Sequence, residues 1–342
     1  WIQTTATLGL FVALGVILLV KSSMSDAAFD AEWGGWRYPF WLSIVLVGVS
    51  IYIRMKMKES PMFTKLKHEG KTSVNPLKES FSHKGNFKMV LLALFGAVMG
   101  QGVIWYTGQF YTMNFCIKTL GIDSSQIQWM LIPVLLIGTP FFIVFAKWSD
   151  KVGRKWIMLT GMALAACSYM SLYKEMAKQA DWKTWTPVSA IASNSSPEKS
   201  TGIKSTKTTN IYSYTNGGSR SEVIEYEDAT KANIIKTTNT ITLPQRNLII
   251  IAVIILIQLL FVCMAYGPIA AFLVELFPPR LRYTSLSLPY HIGNGVFGGL
   301  TPLIAESMVV GTGNIFAGLW YPIIVAGVTV LLGVFLIKEK RK

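Results

Sequence analysis

Charge is scarce in this sequence. Of 342 residues only 15% are Asp, Glu, Lys or Arg, against 51% hydrophobic, and the mean hydropathy is +0.43. That balance argues against a soluble multidomain enzyme. Cysteine and histidine are scarce too, with three of each. Cys116, Cys167 and Cys263 lie far apart, without a C-x-x-C, each in or near an apolar run. Buried free thiols are expected, and neither redox chemistry, a metal nor an organic cofactor. No nucleophile–base pair and no cluster of His with acids interrupts the apolar runs, so no enzyme is expected. The one excess is positive, a formal charge of +14. Because the basic residues fall in short clusters between apolar spans, the partner they imply is a lipid bilayer and not nucleic acid.

A spanning helix needs about 20 apolar residues. Eight stretches qualify: 2–20, 37–55, 88–112, 128–147, 156–173, 248–270, 284–309 and 318–337. The first has no basic leader and no small-residue cleavage signature, so it reads as a span and not as a signal peptide. If the spans alternate, the basic loops after the second, fourth and sixth, together with the tail Lys338, Lys340, Arg341 and Lys342, fall on one side. The positive-inside rule makes that side the cytoplasm and puts both ends of this chain there.

Two connections are long. Residues 56–87 are basic and contain Pro61 and Pro76; they suit a cytoplasmic linker, with Asn75 capping a short amphipathic helix in "NPLKESF". Residues 174–247 are rich in Ser, Thr, Asn and Lys and fall on the exterior side. Asn216-Gly217 there is a strong hairpin signal, while the composition favours a mobile insertion. Asn194-Ser195-Ser196 matches a glycosylation sequon, a pattern common by chance.

The most specific stretch is "FAKWSDKVGRKWIML", residues 145–159. A tight turn needs Gly153, Asp150 can pair with Arg154 or accept from a helix N-terminus, and the Arg and Lys residues sit among headgroups. An ordinary basic loop would not need Asp150, Lys151, Gly153 and Arg154 at fixed offsets. The pattern resembles the loop signature G-x-x-x-D-[RK]-x-G-R-[RK] of the major facilitator superfamily, with Ala146 where that family usually has Gly. Three further stretches, "WRYPFWLSIVLVGVSIYIRMKMKESPMF" (36–63), "GQGVIWYTGQFY" (100–111) and "YGPIAAFLVELFPPRLRYTSLSLPYHIGNGVFGGLTP" (266–302), resemble its metabolite:proton symporter family, the group of proline/betaine, α-ketoglutarate, citrate and shikimate carriers.

The resemblance implies an all-α polytopic membrane protein of major facilitator fold whose eight helices match the fifth to twelfth of a twelve-helix carrier. On that reading residues 1–55 are the last two helices of an N-terminal bundle, 56–87 the central linker and 88–342 a C-terminal six-helix bundle. The chain is then expected to be part of a longer protein, with the proton-coupling acids in the four helices before it. The implied function is secondary transport of a small polar or anionic metabolite across the cytoplasmic (inner) membrane, by proton symport and alternating access. A monomer is expected, with the proton gradient as coupling ion. A membrane receptor or sensor using 174–247 as an exterior domain is the alternative; it explains the insertion but not the Asp-Lys-x-Gly-Arg loop.

Candidate pathway residues are few. Gln101 and Trp105 share a helix face, with Tyr106 beside them and Tyr111 further along. They suit either a solute pathway or, respectively, helix packing and an interfacial belt. Tyr290, His291 and Asn294 lie within about one turn, and a histidine at membrane depth suggests a proton relay or ligand as readily as a satisfied interhelical bond. Gly293-x-Gly295-x-x-Gly298 mimics a dinucleotide fingerprint, but no strand precedes it; close helix packing is expected there, and also at Gly96 and Gly100. Glu275, Arg280 and Arg282 form "ELFPPRLR", ended by Pro278-Pro279, where Glu275 can pair with Arg280, Arg282 or Arg154. By resemblance this is a gating loop; a surface ion pair is the plainer reading. Glu306 is either a pathway carboxylate or interfacial.

Overall fold

The computed structural model describes residues 2–57, 61–69, 84–200, 203–226, 234–279 and 282–338. Long apolar runs, unable to leave backbone groups bare in lipid, close their hydrogen bonds as helices. Seven are long and apolar enough to cross a membrane: α2 (Gly35–Lys56), α3 (Lys84–Thr119), α4 (Ser124–Val152), α5 (Arg154–Gln179), α6 (Gln245–Leu276), α7 (Arg282–Thr312) and α8 (Ala317–Leu336). Ahead of them, α1 (Ile2–Ser22) is a helix whose apolar part, Thr7–Ser22, is shorter. Of the eight expected spans seven thus meet the length criterion, and most run several residues past their expected ends. The chain is an all-α polytopic membrane protein in its spanning part.

Packing follows the small residues. A side chain at Gly96 or Gly100 of α3 would strike Ile337 or Thr329 beside α8, and one at Gly102 would strike the carbonyl of Gly293 on α7. Gly293 and Gly298 seat α7 against Val98 and against Gly102 and Tyr106, as expected, whereas Gly295 has nothing near it. Gly267 of α6 brings its backbone against Phe142 and Ala146 of α4, so Ala146 still allows close approach. These contacts gather α3 to α8 around one core, with Leu14 of α1 joined to it. By contrast Tyr38–Lys56 of α2 buries no residue. Cys116 and Cys263 are buried as expected; Cys167 is exposed, on the outer face of α5.

The segment expected to be a mobile insertion is folded. After α5, which continues to Gln179, four strands form an antiparallel meander in the order β1 (Pro187–Ser200), β2 (Ile203–Tyr214), β3 (Ser219–Tyr226), β4 (Ile234–Thr242). The Asn216-Gly217 turn joins β2 to β3, with Gly217 at φ +81° and the Asn216 side chain accepting from the Gly218 N–H at 2.9 Å. Disorder was expected from poor apolar content, but backbone ladders and docking on the bundle supply what a core does not. Gln126 of α4 exchanges two hydrogen bonds with the backbone of Leu243, at 2.9 and 2.8 Å. Ile241 takes 2.7 and 2.9 Å bonds with Gly121 and Asp123 in the α3–α4 turn. Arg220 of β3 lies between the rings of Trp182 and Tyr212, 4.1 and 4.3 Å from their centroids. The sheet occupies the bundle end opposite the Asp150 loop. Residues 75–81, where a capped helix was expected, lie outside the described residues.

Candidate functional site

Two polar features mark the bundle, one at its end and one at mid-depth. At the end, Gly153 separates α4 from α5 at φ 112°, a backbone state that a side chain would strain. The turn delivers Arg154, 18% exposed, to two carboxylates: Asp150 Oδ1 at 2.9 Å and Glu275 Oε2 of α6 at 3.2 Å. One guanidinium therefore ties α4, α5 and α6 together, a task its fork geometry suits better than a point charge. Lys151 is exposed and borders the turn. Arg282 Nε donates to the Phe277 carbonyl at 3.3 Å, closing the "FPPRLR" turn on itself. Arg280 lies outside the described residues.

Lys155 departs from the headgroup role expected of it. Its side chain is buried, donating from Nζ to the carbonyls of Val334 and Ile337 at 2.8 and 2.7 Å. These are carbonyls at the end of α8, where an ammonium both satisfies orphan acceptors and complements the helix dipole. Nothing in the local sequence signals an acceptor more than 170 residues away.

At mid-depth, the π-type segments of α3 (Leu94–Val98, Thr107–Tyr111, Phe115–Thr119) and of α7 (Gly293–Gly298) interrupt regular helix, as is frequent at functional sites. The Gly102–Gly293 approach lets the fully buried Gln101 amide meet that of Asn294 in a reciprocal pair, 3.1 and 3.3 Å, and Asn294 also donates to the Tyr290 carbonyl at 3.0 Å. Tyr290 in turn meets Tyr266 of α6, hydroxyl to hydroxyl, at 2.8 Å. Trp105 packs edge-on to Tyr106 and near Phe110 and Tyr266, with its Nε1–H lacking a partner. Gln101, Trp105, Tyr106, Tyr290 and Asn294 thus converge from α3 and α7, with Tyr266 of α6 completing the group.

Two expected members stand apart. His291 is exposed and its ring lies edge-on to that of Tyr290, outside the amide pair. Tyr111 is buried beside Phe115 and Tyr173, and its hydroxyl has no partner among the described residues. Glu306 pairs with Lys118 at 3.1 Å near the sheet end, exposed, as an interfacial residue would.

Sequence reading missed several participants, Tyr266 among them. Thr112, Tyr173 and Gln258 form a buried network on α3, α5 and α6, with Thr112 Oγ1 2.6 Å from the Tyr173 hydroxyl and 3.1 Å from Gln258 Oε1. Gln109, 5% exposed, has neither amide atom partnered. Only its place eight residues after Gln101, on nearly the same helix face, hinted at it.

A family model described as Major Facilitator Superfamily matches residues 3–173. The inner membrane metabolite transport protein YhjE of Escherichia coli (strain K12) is 23% identical over 99% of this chain and 61% of its own length. The alpha-ketoglutarate permease of the same strain is 23% identical over 97% and 60%. A protein of Staphylococcus haemolyticus (strain JCSC1435), provisionally named a proline/betaine transporter, is 24% identical over 92% and 52%. The chain thus spans about half to three-fifths of the length of these relatives. With the matched segment running from α1 through the Asp150–Arg154 turn and along α5, the chain belongs to the Major Facilitator Superfamily.

Proposed function

We propose that this chain forms the larger part of a secondary transporter carrying a small polar or anionic metabolite across the cytoplasmic membrane. Its relatives' names point to transport of metabolites, proline or betaine, and α-ketoglutarate. The observation that carries the reading is the pairing of a surface latch, Arg154 between Asp150 and Glu275, with a polar cluster at mid-depth joined across α3, α6 and α7. A carrier needs both: a site that water and lipid do not fill, and a contact that breaks and re-forms as helices rock. A channel or anchor needs neither.

Proton symport by alternating access rests on the resemblance alone. The Asp150 loop and the chain ends take the cytoplasmic side by the charge rule, which gives the sheet the exterior one. A single copy suffices for the bundle, so a monomer is the working unit. The folded sheet favours a second reading, a sensor with an exterior ligand-binding region, because a receptor needs an ordered domain docked on its helices.

The test is counterflow of a labelled panel of amino acids, betaines and mono-, di- and tricarboxylates into proteoliposomes holding the full-length protein. Uptake that a protonophore abolishes is expected. Loss of proton dependence alone removes the symport; no uptake, together with ligand binding to the sheet, replaces the carrier by the sensor.

A further inference from the structure

Four helices, α1, α3, α4 and α6, enclose a small cavity whose walls include Leu10, Leu14, Leu131, Leu135 and Ile255. Gln109 is the sole side chain in that lining able to form a conventional hydrogen bond through a polar terminus. Its amide is buried, and both Nε2 and Oε1 lack a partner among the described residues. Two other amides of the bundle interior are answered, Gln101 by Asn294 and Gln258 by Thr112, while Gln128 of α4 has only its Oε1 without a partner among the described residues. An unanswered buried amide is unfavourable where a leucine of similar volume would not be. Only an occupant of the cavity can offset that.

We propose that Gln109 is a substrate-recognition residue, its Nε2 donating to a carboxylate oxygen of a small metabolite whose short apolar body rests on the leucine and isoleucine walls. The proposal rests on the transporter reading. A carboxylate beside a short methylene or methyl segment is the chemistry shared by proline, betaine and α-ketoglutarate, named for two of the relatives. The π-type segment Thr107–Tyr111 carries the amide, and Gly108 lets α3 lie against Val262 and Gln258 of α6, so the amide is held at the wall and not swung away from it. As it stands the cavity is too small for a metabolite. One wall is α1 and the others are α3, α4 and α6, so displacement of α1 from the bundle opens it; this conformation is then the closed, unloaded one.

The experiment compares full-length wild type with Gln109→Leu and Gln109→Asn in proteoliposomes, using labelled L-proline, glycine betaine, α-ketoglutarate and a carboxylate-free sugar, alongside thermal unfolding in detergent. For whichever carboxylate is carried, Gln109→Leu should raise KM at least tenfold while melting at or above the wild-type temperature. Gln109→Asn, retaining the amide on a shorter stem, should fall between. An unchanged KM in both variants overturns the inference and leaves the amide to a trapped water. A wild type that carries the sugar and no carboxylate overturns it while transport stands; a wild type that carries nothing overturns both. Should Gln109→Leu unfold, the Gln109→Asn value decides alone.

Discussion

Two sets of polar side chains lie inside one bundle, within two turns of each other on α3, and they differ in whether the chain answers them. Thr112 is 1% exposed, and its hydroxyl meets Tyr173 and Gln258, both wholly buried. Gln109 and Tyr111 are nearly as deep and Trp105 is partly buried, yet the Trp105 Nε1–H, both Gln109 amide atoms and the Tyr111 hydroxyl have no partner among the described residues. A network that is closed fixes how α3, α5 and α6 meet. Groups left open cost stability unless something outside the chain completes them, so under the proposal above the second set is where a ligand would bind and the first is where helices are held together.

The strongest way to break this comparison is to open the closed network. Thr112→Val keeps the volume but removes the central hydroxyl, taking the donor from Gln258 Oε1 and leaving the Tyr173 hydroxyl with only its 3.4 Å bond to the Thr107 carbonyl. A buried orphan costs about 1–3 kcal/mol, and with Tyr173 weakened as well a loss toward the upper end of that range is expected, read as a lowered unfolding temperature in detergent. The triple variant Thr112→Val/Tyr173→Phe/Gln258→Leu removes all three polar ends together and should recover most of it. Gln109→Leu, one turn away, should go the other way. If both single variants destabilise alike, the distinction between answered and unanswered groups is lost.

A smaller effect separates the mid-depth pair from that network. Gln101→Leu takes one partner from Asn294, whose amide keeps its bond to the Tyr290 carbonyl at 3.0 Å. With one acceptor left over and Asn294 half-buried, the cost should be about 1 kcal/mol, by the same unfolding measurement. A loss as large as that at Thr112 would mean that the Gln101–Asn294 contact holds α3 to α7 and is not merely seated on the Gly102–Gly293 approach.

What was legible in the sequence follows the range of the interactions. Spans, small-residue contacts and the Asp150–Arg154 turn are written in near neighbours: apolar runs of about 20 residues, glycines four or five apart, a motif from Asp150 to Arg154. Glu275 pairs with Arg154, one of the three arginines that the sequence offers it. The sheet was half legible. Asn216-Gly217 signals β2 and β3, but β1 and β4 join by backbone ladders that their Ser, Thr, Asn and Lys do not advertise. Lys155 on α8, Thr112 on Gln258 and the vacancy at Gln109 were not legible. Each depends on what stands opposite after folding, and the separations, 146 residues for Thr112 and Gln258 and 179 for Lys155 and Val334, carry no local trace.

The smallest effect on stability belongs to the latch, where the answered groups are the most exposed. Asp150 and Glu275 are 58% and 45% exposed, and exposed ion pairs contribute at most about 1 kcal/mol. Arg154→Lys should therefore lower the unfolding temperature little. It should act on conformation, because an ammonium cannot hold both carboxylates in the guanidinium's fixed fork. With α4, α5 and α6 released from one another at that end, a cysteine introduced among the residues facing Glu275 should label faster with a membrane-impermeant thiol reagent than in the wild type, at unchanged melting temperature. Equal labelling rates would reduce the Asp150–Arg154–Glu275 contact to an ordinary surface pair. Polar groups would then matter in this bundle only where they are buried, and the opposition between closed and open sets on α3 would be the whole of its polar design.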